Sequence, residues 1–253
     1  MKIIISPAKK MNVDTDSLAI ETMPVMLQKT EELKQWIQTL SWEQTKKLWN
    51  CNDKLVDLNV ERFREMDLHR NLTPAVLSYE GLQYQYMAPG VMEDVQHSYI
   101  QEHLRILSGF YGILAPFDGV VPYRLEMQAK ANVNGQKDLY SFWGDTIYQA
   151  LTESDHMILN LASKEYSKAI EPYLQKEDRF VTCVFGEYKD GKVVQKGTMA
   201  KMARGEMVNF LSAIKASQPE DAKGFDRMEY RYQDELSTET EYVFLRGPIP
   251  IDW

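Results

Sequence analysis

The sequence predicts a mixed α/β (α+β) fold in one compact domain over residues 1–253: a central mixed sheet surrounded by helices, with a polar, partly basic cleft. Three observations predict it. Short apolar runs bounded by turn residues alternate with amphipathic helical stretches along the chain. Asp190-Gly191, between Tyr188 and Val193-Val194, requires an antiparallel hairpin beside any parallel strands that helices connect. No internal repeat, low-complexity segment or composition shift divides the chain.

Each element has a local reason. Ile3-Ile4-Ile5 is a β-branched run stopped by Ser6-Pro7, hence a buried strand leading into a loop. From about Pro24 to Leu40, Leu27, Thr30, Leu33, Ile37 and Leu40 recur at helical spacing. Ser41 with Gln44 forms a capping-box pattern for a second helix. A third helix is expected from about Asp53 to Met66, with Leu55, Leu58, Arg62 and Met66 on its ladder and Val56, Val60 and Phe63 adjoining. Ala75 to Tyr79 reads as a strand stopped by Glu80-Gly81, and Asp94 to Leu107 as a helix capped by Gly109. Met157 to Leu161 is a buried strand running to Ser163, an N-cap for a helix ending at Pro172. Phe180 to Phe185 is a strand, Thr198 to Lys215 a helix, and Glu241 to Leu245 a last strand.

Composition narrows the function. Hydrophobic residues are 44% and charged residues 26% of the 253, a soluble globular balance. Lys and Arg total 29 against 37 Asp and Glu, so the net charge is 29 − 37 = −8. That excludes a uniformly basic nucleic-acid coat; any such site is a local patch. Two cysteines cannot build a disulfide framework. No apolar stretch approaches the roughly 20 residues of a membrane helix, and the N-terminal apolar run is too short for a signal peptide. The expected location is the cytoplasm, with no membrane partner.

Four groups of residues are candidates for chemistry. Ser6 and Lys9 lie in a loop after a buried strand, where open sheets place ligands, or else form a plain turn with solvated lysines. Asn160, Ser163 and Tyr166 mark a strand-to-helix junction, either an anion site or an ordinary capped helix. Tyr123, Arg124 and Glu126 belong to Pro122–Met127, where on a strand Arg124 and Glu126 would share a face as a substrate clamp or a structural ion pair. Lys201 and Arg204 flank the stripe Ala200, Ala203, Met207, Phe210 or Leu211, and Ile214. With Thr198 as cap, Lys201 falls in the first turn against the positive helix end, and Gly205 costs about 1 kcal/mol in a helix interior. Together these two features suggest a bound anion and a close backbone approach; the alternative is a solvated basic face. Residues 189–215 hold six basic and two acidic side chains, 6 − 2 = +4, the best local patch for an anionic small molecule. The four histidines lack metal-ligand spacing, and no nucleotide-binding glycine motif occurs, so neither metal nor cofactor is expected.

Several segments, in order, carry a resemblance. They are Ile5-Ser6-Pro7-Ala8-Lys9, Leu107–Gly112, Pro122–Met127, Asp138-Leu139-Tyr140 with Phe142–Asp145, and Asn160–Ser163 with Glu165-Tyr166. Ala200-Lys201, Ala203-Arg204-Gly205, Val243-Phe244 and Arg246 follow. In these the chain resembles the YaaA family of peroxide stress proteins over nearly its whole length. The resemblance implies a single mixed α/β body in the cytosol that helps cells survive hydrogen peroxide by lowering free intracellular iron. It also implies DNA binding through a positively charged cleft and a helix-hairpin-helix-like element, for which residues 43–67 are the candidate. Its motifs fall on Ser6, Lys9, Tyr123 to Glu126, Asn160, Ser163, Tyr166, Lys201 and Arg204, which are therefore expected to line one concave site. The same polar set leaves open an enzyme acting on a phosphorylated or nucleobase-containing small molecule.

Overall fold

Ile3, Ile4 and Ile5 are fully buried, and their strand, β1 (Lys2–Ile5), is central to the sheet that organises the protein. The computed structural model describes residues 1–247; residues 248–253 of the expected domain lie outside the described residues. In chain order the further strands are β2 (Lys10–Met11), β3 (Thr73–Pro74), β4 (Tyr79–Glu80), β5 (Leu104–Ser108), β6 (Gly112–Leu114) and β7 (Gly119–Val120). Then come β8 (Met157–Asn160), β9 (Arg179–Lys189), β10 (Lys192–Val194), β11 (Tyr230–Tyr232) and β12 (Glu241–Arg246). Eight of them form the main sheet in the order β11-β12-β9-β8-β1-β5-β6, with β10 on the outer part of β9. Strands β12, β9, β8, β1 and β5 are mutually parallel, while β11, β6 and β10 pair antiparallel at the margins. The sheet is therefore mixed, and Asp190-Gly191 is the turn between β9 and β10, both residues at positive φ.

This order places a ligand crevice. The chain leaves β1 toward β5 on one side and leaves β8 toward β9 on the other. The carboxyl ends of adjacent β1 and β8 are thus a topological switch point, where the following loops part and leave space.

The helices are α1 (Leu27–Gln38), α2 (Trp42–Trp49), α3 (Asp53–Glu65), α4 (Ala75–Ser78), α5 (Leu82–Met87) and α6 (Asp94–His103). They continue with α7 (Leu139–Trp143), α8 (Thr146–Thr152), α9 (Lys164–Ser167) and α10 (Gly197–Ile214). In α1, Thr30, Leu33 and Ile37 face the core, and α2 opens on the Ser41–Gln44 capping box. On α3 the buried face is Val56, Asn59 and Phe63, one position round from the expected ladder, and Leu58 is exposed.

Two expected elements are corrected. Ala75 to Tyr79 is mostly a turn of helix, α4, because Ala75 and Val76 donate their N–H groups to the Asp118 and Pro116 carbonyls rather than to a strand. Only Tyr79-Glu80 is extended, pairing with Lys10-Met11. The helix from Asp94 ends at His103, and Leu104–Ser108 is a strand in which Leu104, Arg105 and Ile106 pair with Ile3, Ile4 and Ile5. A short apolar run has no periodicity to separate helix from strand, so tertiary pairing decides.

Gly109 is accordingly not a helix cap. It follows β5 in a tight turn, where a Cβ would stand 2.6 Å from the Leu125 carbonyl oxygen and 3.0 Å from the Met127 nitrogen. Its missing side chain lets Pro122–Met127 lie against the turn. That segment is irregular chain running into a turn at Met127, so the strand setting in which Arg124 and Glu126 would share a face does not apply.

Candidate functional site

Nine of the ten candidate residues line one cavity of about 400 Å³ at the carboxyl ends of β1 and β8: Ser6, Lys9, Tyr123, Arg124, Glu126, Ser163, Tyr166, Lys201 and Arg204. Asn160 does not, and the expectation that it lines the site is corrected. It is buried at the end of β8, where its Oδ1 accepts the Ala162 N–H at 2.9 Å and its Nδ2 donates to Thr182 Oγ1 at 3.2 Å. Its side chain is used in holding the turn that delivers Ser163.

Ser6 and Ser163 join the two strand ends directly. The Ser163 N–H donates to Ser6 Oγ at 2.8 Å, and Ser6 Oγ lies 3.2 Å from Ser163 Oγ. Ser163 therefore does not cap its helix through its side chain, and α9 runs only to Ser167 rather than to Pro172.

Arg124 and Glu126 do pair, at 3.2 Å, with side chains only 13% and 19% exposed, and Lys9 reaches the other Glu126 oxygen at 2.9 Å. Glu126 thus lies between two cations. The buried Tyr123 hydroxyl lies 2.8 Å from the Tyr79 hydroxyl and 2.6 Å from Ser108 Oγ. Burial pushes its phenol up to about 12. Because that hydroxyl is already partnered, Tyr123 offers the cavity a ring rather than a polar group. Tyr123→Phe is expected to cost about 1–2 kcal/mol of stability while leaving the affinity for any cavity ligand unchanged, as measured by chemical denaturation and calorimetry.

Helix α10 supplies Lys201 and Arg204. It begins at Gly197 with Lys196 in the capping position and no side-chain cap, so Thr198 is not the cap and Lys201 lies beyond the first turn. Ile214 is exposed, which corrects the expected stripe; Ala200, Ala203, Met207 and Leu211 are buried, with Val208 beside them. Gly205 serves helix packing: a Cβ there would overlap the Gln83 carbonyl oxygen and stand 2.8 Å from the Met87 nitrogen. The close backbone approach is thus to α5, not to a ligand. Arg204, beside the buried Cys183, makes no ion pair among the described residues, and its Nε is buried without a hydrogen-bond partner. Desolvation lowers its pKa.

The family model described as "Peroxide stress protein YaaA" matches residues 1–236. The chain belongs to the YaaA family of peroxide stress proteins. It is similar to the UPF0246 protein of Lachnoclostridium phytofermentans, at 56% identity over 247 residues, covering 98% of this chain and 97% of that one. The UPF0246 protein of Pediococcus pentosaceus is 53% identical over 249 residues, covering 98% and 99%. That of Limosilactobacillus reuteri is 50% identical over 245 residues, covering 96% and 98%. Among the described residues no helix is long and apolar enough to cross a membrane, and no three His, Cys, Asp or Glu side chains gather as a metal site.

Sequence reasoning missed part of this YaaA-family cavity. Lys10 and Glu80 form a 2.7 Å ion pair at its edge, and Gln83 and Tyr84 enter from α5. The Tyr84 hydroxyl donates to the Ser6 carbonyl at 2.9 Å, while Gln83 Nε2 is buried without a partner among the described residues. Glu165, present in a family motif but absent from the candidate set, also lines the cavity. It accepts the Gln128 N–H at 3.2 Å and makes no ion pair among the described residues. Burial, reinforced by the charge of Glu126, raises its pKa.

Proposed function

We propose that the cavity binds a nucleotide unit with its phosphate at Arg204 and Lys201, and that this member of the family serves peroxide resistance in the cytoplasm through that ligand. Arg204 carries the reading. A largely desolvated cation without a counter-ion is costly to the fold, and an anion offsets the cost. Lys201, three residues earlier on the same helix and also without an ion pair among the described residues, adds positive charge at the rim. A cavity of about 400 Å³ suits one nucleotide, free or at the end of a strand. Calorimetry with nucleoside 5′-monophosphates and with a 5′-phosphorylated single-stranded oligonucleotide tests it. Binding of either class, with the thermal midpoint rising as ligand is added, is expected; binding of neither refutes the reading.

A second observation favours the DNA reading implied by the family. A neighbouring cavity of about 400 Å³ shares Lys9, Arg124 and Glu126 with the first and adds Lys47, Asn50 and Lys130. Asn50 sits in the left-handed turn between α2 and α3, the helix pair expected to act as a helix-hairpin-helix element. A strand leaving the nucleotide cavity would meet these cations. Binding should weaken with salt by a slope of about −0.7 per single-strand phosphate contacted, and Lys47→Glu with Lys130→Glu should flatten that slope. We take the lowering of free iron as downstream of this ligand. A strain carrying Arg204→Met should then lose peroxide survival and iron control together.

A further inference from the structure

We propose that the cavity hydrolyses the N-glycosidic bond of the nucleotide it holds, with Glu165 as the acid that protonates the departing base and Glu126 as the fixed negative charge beside the sugar. This rests on the nucleotide reading above and adds a reaction to it.

Charge is separated within the cavity. Arg204 and Lys201, both on α10, make no ion pair with either carboxylate. A phosphate seated on them leaves Glu165, which makes no ion pair among the described residues, free to act on another part of the ligand. The two carboxylates also have unlike surroundings. Glu126 is met by Lys9 at 2.9 Å and Arg124 at 3.2 Å. Glu165 has one backbone N–H at 3.2 Å and no cation in ion-pair contact among the described residues. Glu126 is thus doubly ion-paired while Glu165 is not, and carboxyl groups in such unlike surroundings divide naturally into a standing charge and an acid.

The sign of the transition-state charge selects the bond. Phosphoryl transfer spreads negative charge over the moving group, which a carboxylate pair would oppose. Cleavage at a sugar carbon builds positive, oxocarbenium-like charge, which Glu126 stabilises. The rings of Tyr84, Tyr123 and Tyr166, all largely buried, give the cavity an apolar face suited to a base.

The step balances without a redox partner. The C1′–N bond breaks and its electron pair stays on the base nitrogen, which takes the Glu165 proton. Water adds its oxygen to C1′ and returns one proton to Glu165. The products are the free base and the sugar phosphate.

The charged groups that bear most on the Glu165 carboxyl are Glu126, which opposes ionisation, and Lys9, which favours it. On its other side lies a shallow cavity bordered by Lys130, Lys137, Lys164, Lys168 and Asp138, with Tyr140, whose hydroxyl donates to the Glu165 carbonyl at 2.8 Å. Burial is the largest influence and holds the proton on Glu165 above the usual carboxylate range. The rate should therefore fall as pH rises through that elevated value.

The test uses the full chain with AMP, GMP, CMP and UMP and their deoxy counterparts, following binding by calorimetry and free base by chromatography. Base release is expected from at least one nucleotide. Glu165→Gln should lower kcat by roughly 100-fold or more, keep Kd within about threefold, and remove the decline of rate with rising pH. Glu165→Asp, which keeps an acid but withdraws it, should lose rate yet retain that decline. A nucleotide that binds without releasing base overturns the hydrolysis and leaves the binding site standing. If no nucleotide binds, both fall. A Glu165→Gln protein with the wild-type rate and pH profile removes Glu165 from the reaction.

Discussion

Gly205→Ala is expected to destabilise the protein by about 2–3 kcal/mol, although the same change at an unhindered helix position would stabilise it by about 1 kcal/mol. The sign is set by the neighbour. The new methyl would overlap the Gln83 carbonyl oxygen and crowd the Met87 nitrogen, both backbone atoms of α5 or its end, which cannot swing aside as a side chain can. Helices α5 and α10 would have to separate, carrying Gln83 and Tyr84 away from Lys201 and Arg204 across the cavity. The thermal midpoint should drop by roughly 5–10 °C, and ligand affinity should fall in the protein that remains folded. A midpoint equal to or above wild type would show that α5 yields easily and that Gly205 has no packing role.

Arg204→Met is expected to do the reverse to stability. Arg204 is largely desolvated and, among the described residues, lacks an ion pair and leaves its Nε without a partner, so a methionine of similar reach removes a cost and keeps the packing. The midpoint should stay level or rise by the equivalent of up to about 1 kcal/mol. Nucleotide affinity should fall by about 100-fold, the upper part of what a desolvated charge–phosphate contact supplies. Denaturation and calorimetry on the same preparation decide it. A large loss of stability would mean that the guanidinium is structural, and unchanged binding would move the anion elsewhere.

Residues whose local signals agree with their tertiary setting were readable from sequence. Ile3–Ile5, Met157–Asn160, the Asp190-Gly191 hairpin and the Ser41 capping box all appear where pattern and turn chemistry place them. Leu104–Ser108 was not readable as a strand, because no glycine, proline or polar break separates it from α6; its state comes from pairing with β1, a hundred residues away. The candidate site was visible where residues follow strand ends or sit on a helix with a distinct pattern, as with Ser6, Ser163 and Arg204. Asn160 carried the same signal, yet its amide turns inward to Ala162 and Thr182. Gln83 and Tyr84 gave no local signal. They reach the cavity because α5 docks on α10 at Gly205, and that glycine was the one trace in the sequence of their approach.

The position of β1 in the sheet has a consequence for synthesis on the ribosome. Ile3 pairs with Leu104 on one side and Leu159 on the other. At roughly 5–20 residues per second, the second partner emerges about 10–30 s after the first strand. Throughout that interval a β-branched segment, destined to be fully buried, has no native neighbour on one edge and for much of it on neither. Nascent chains should thus recruit holding chaperones until residue 160 or so has cleared the exit tunnel. Stalling translation before that point should yield aggregates, whereas stalling after it should yield chains that resist protease at the Ile3–Ile5 strand.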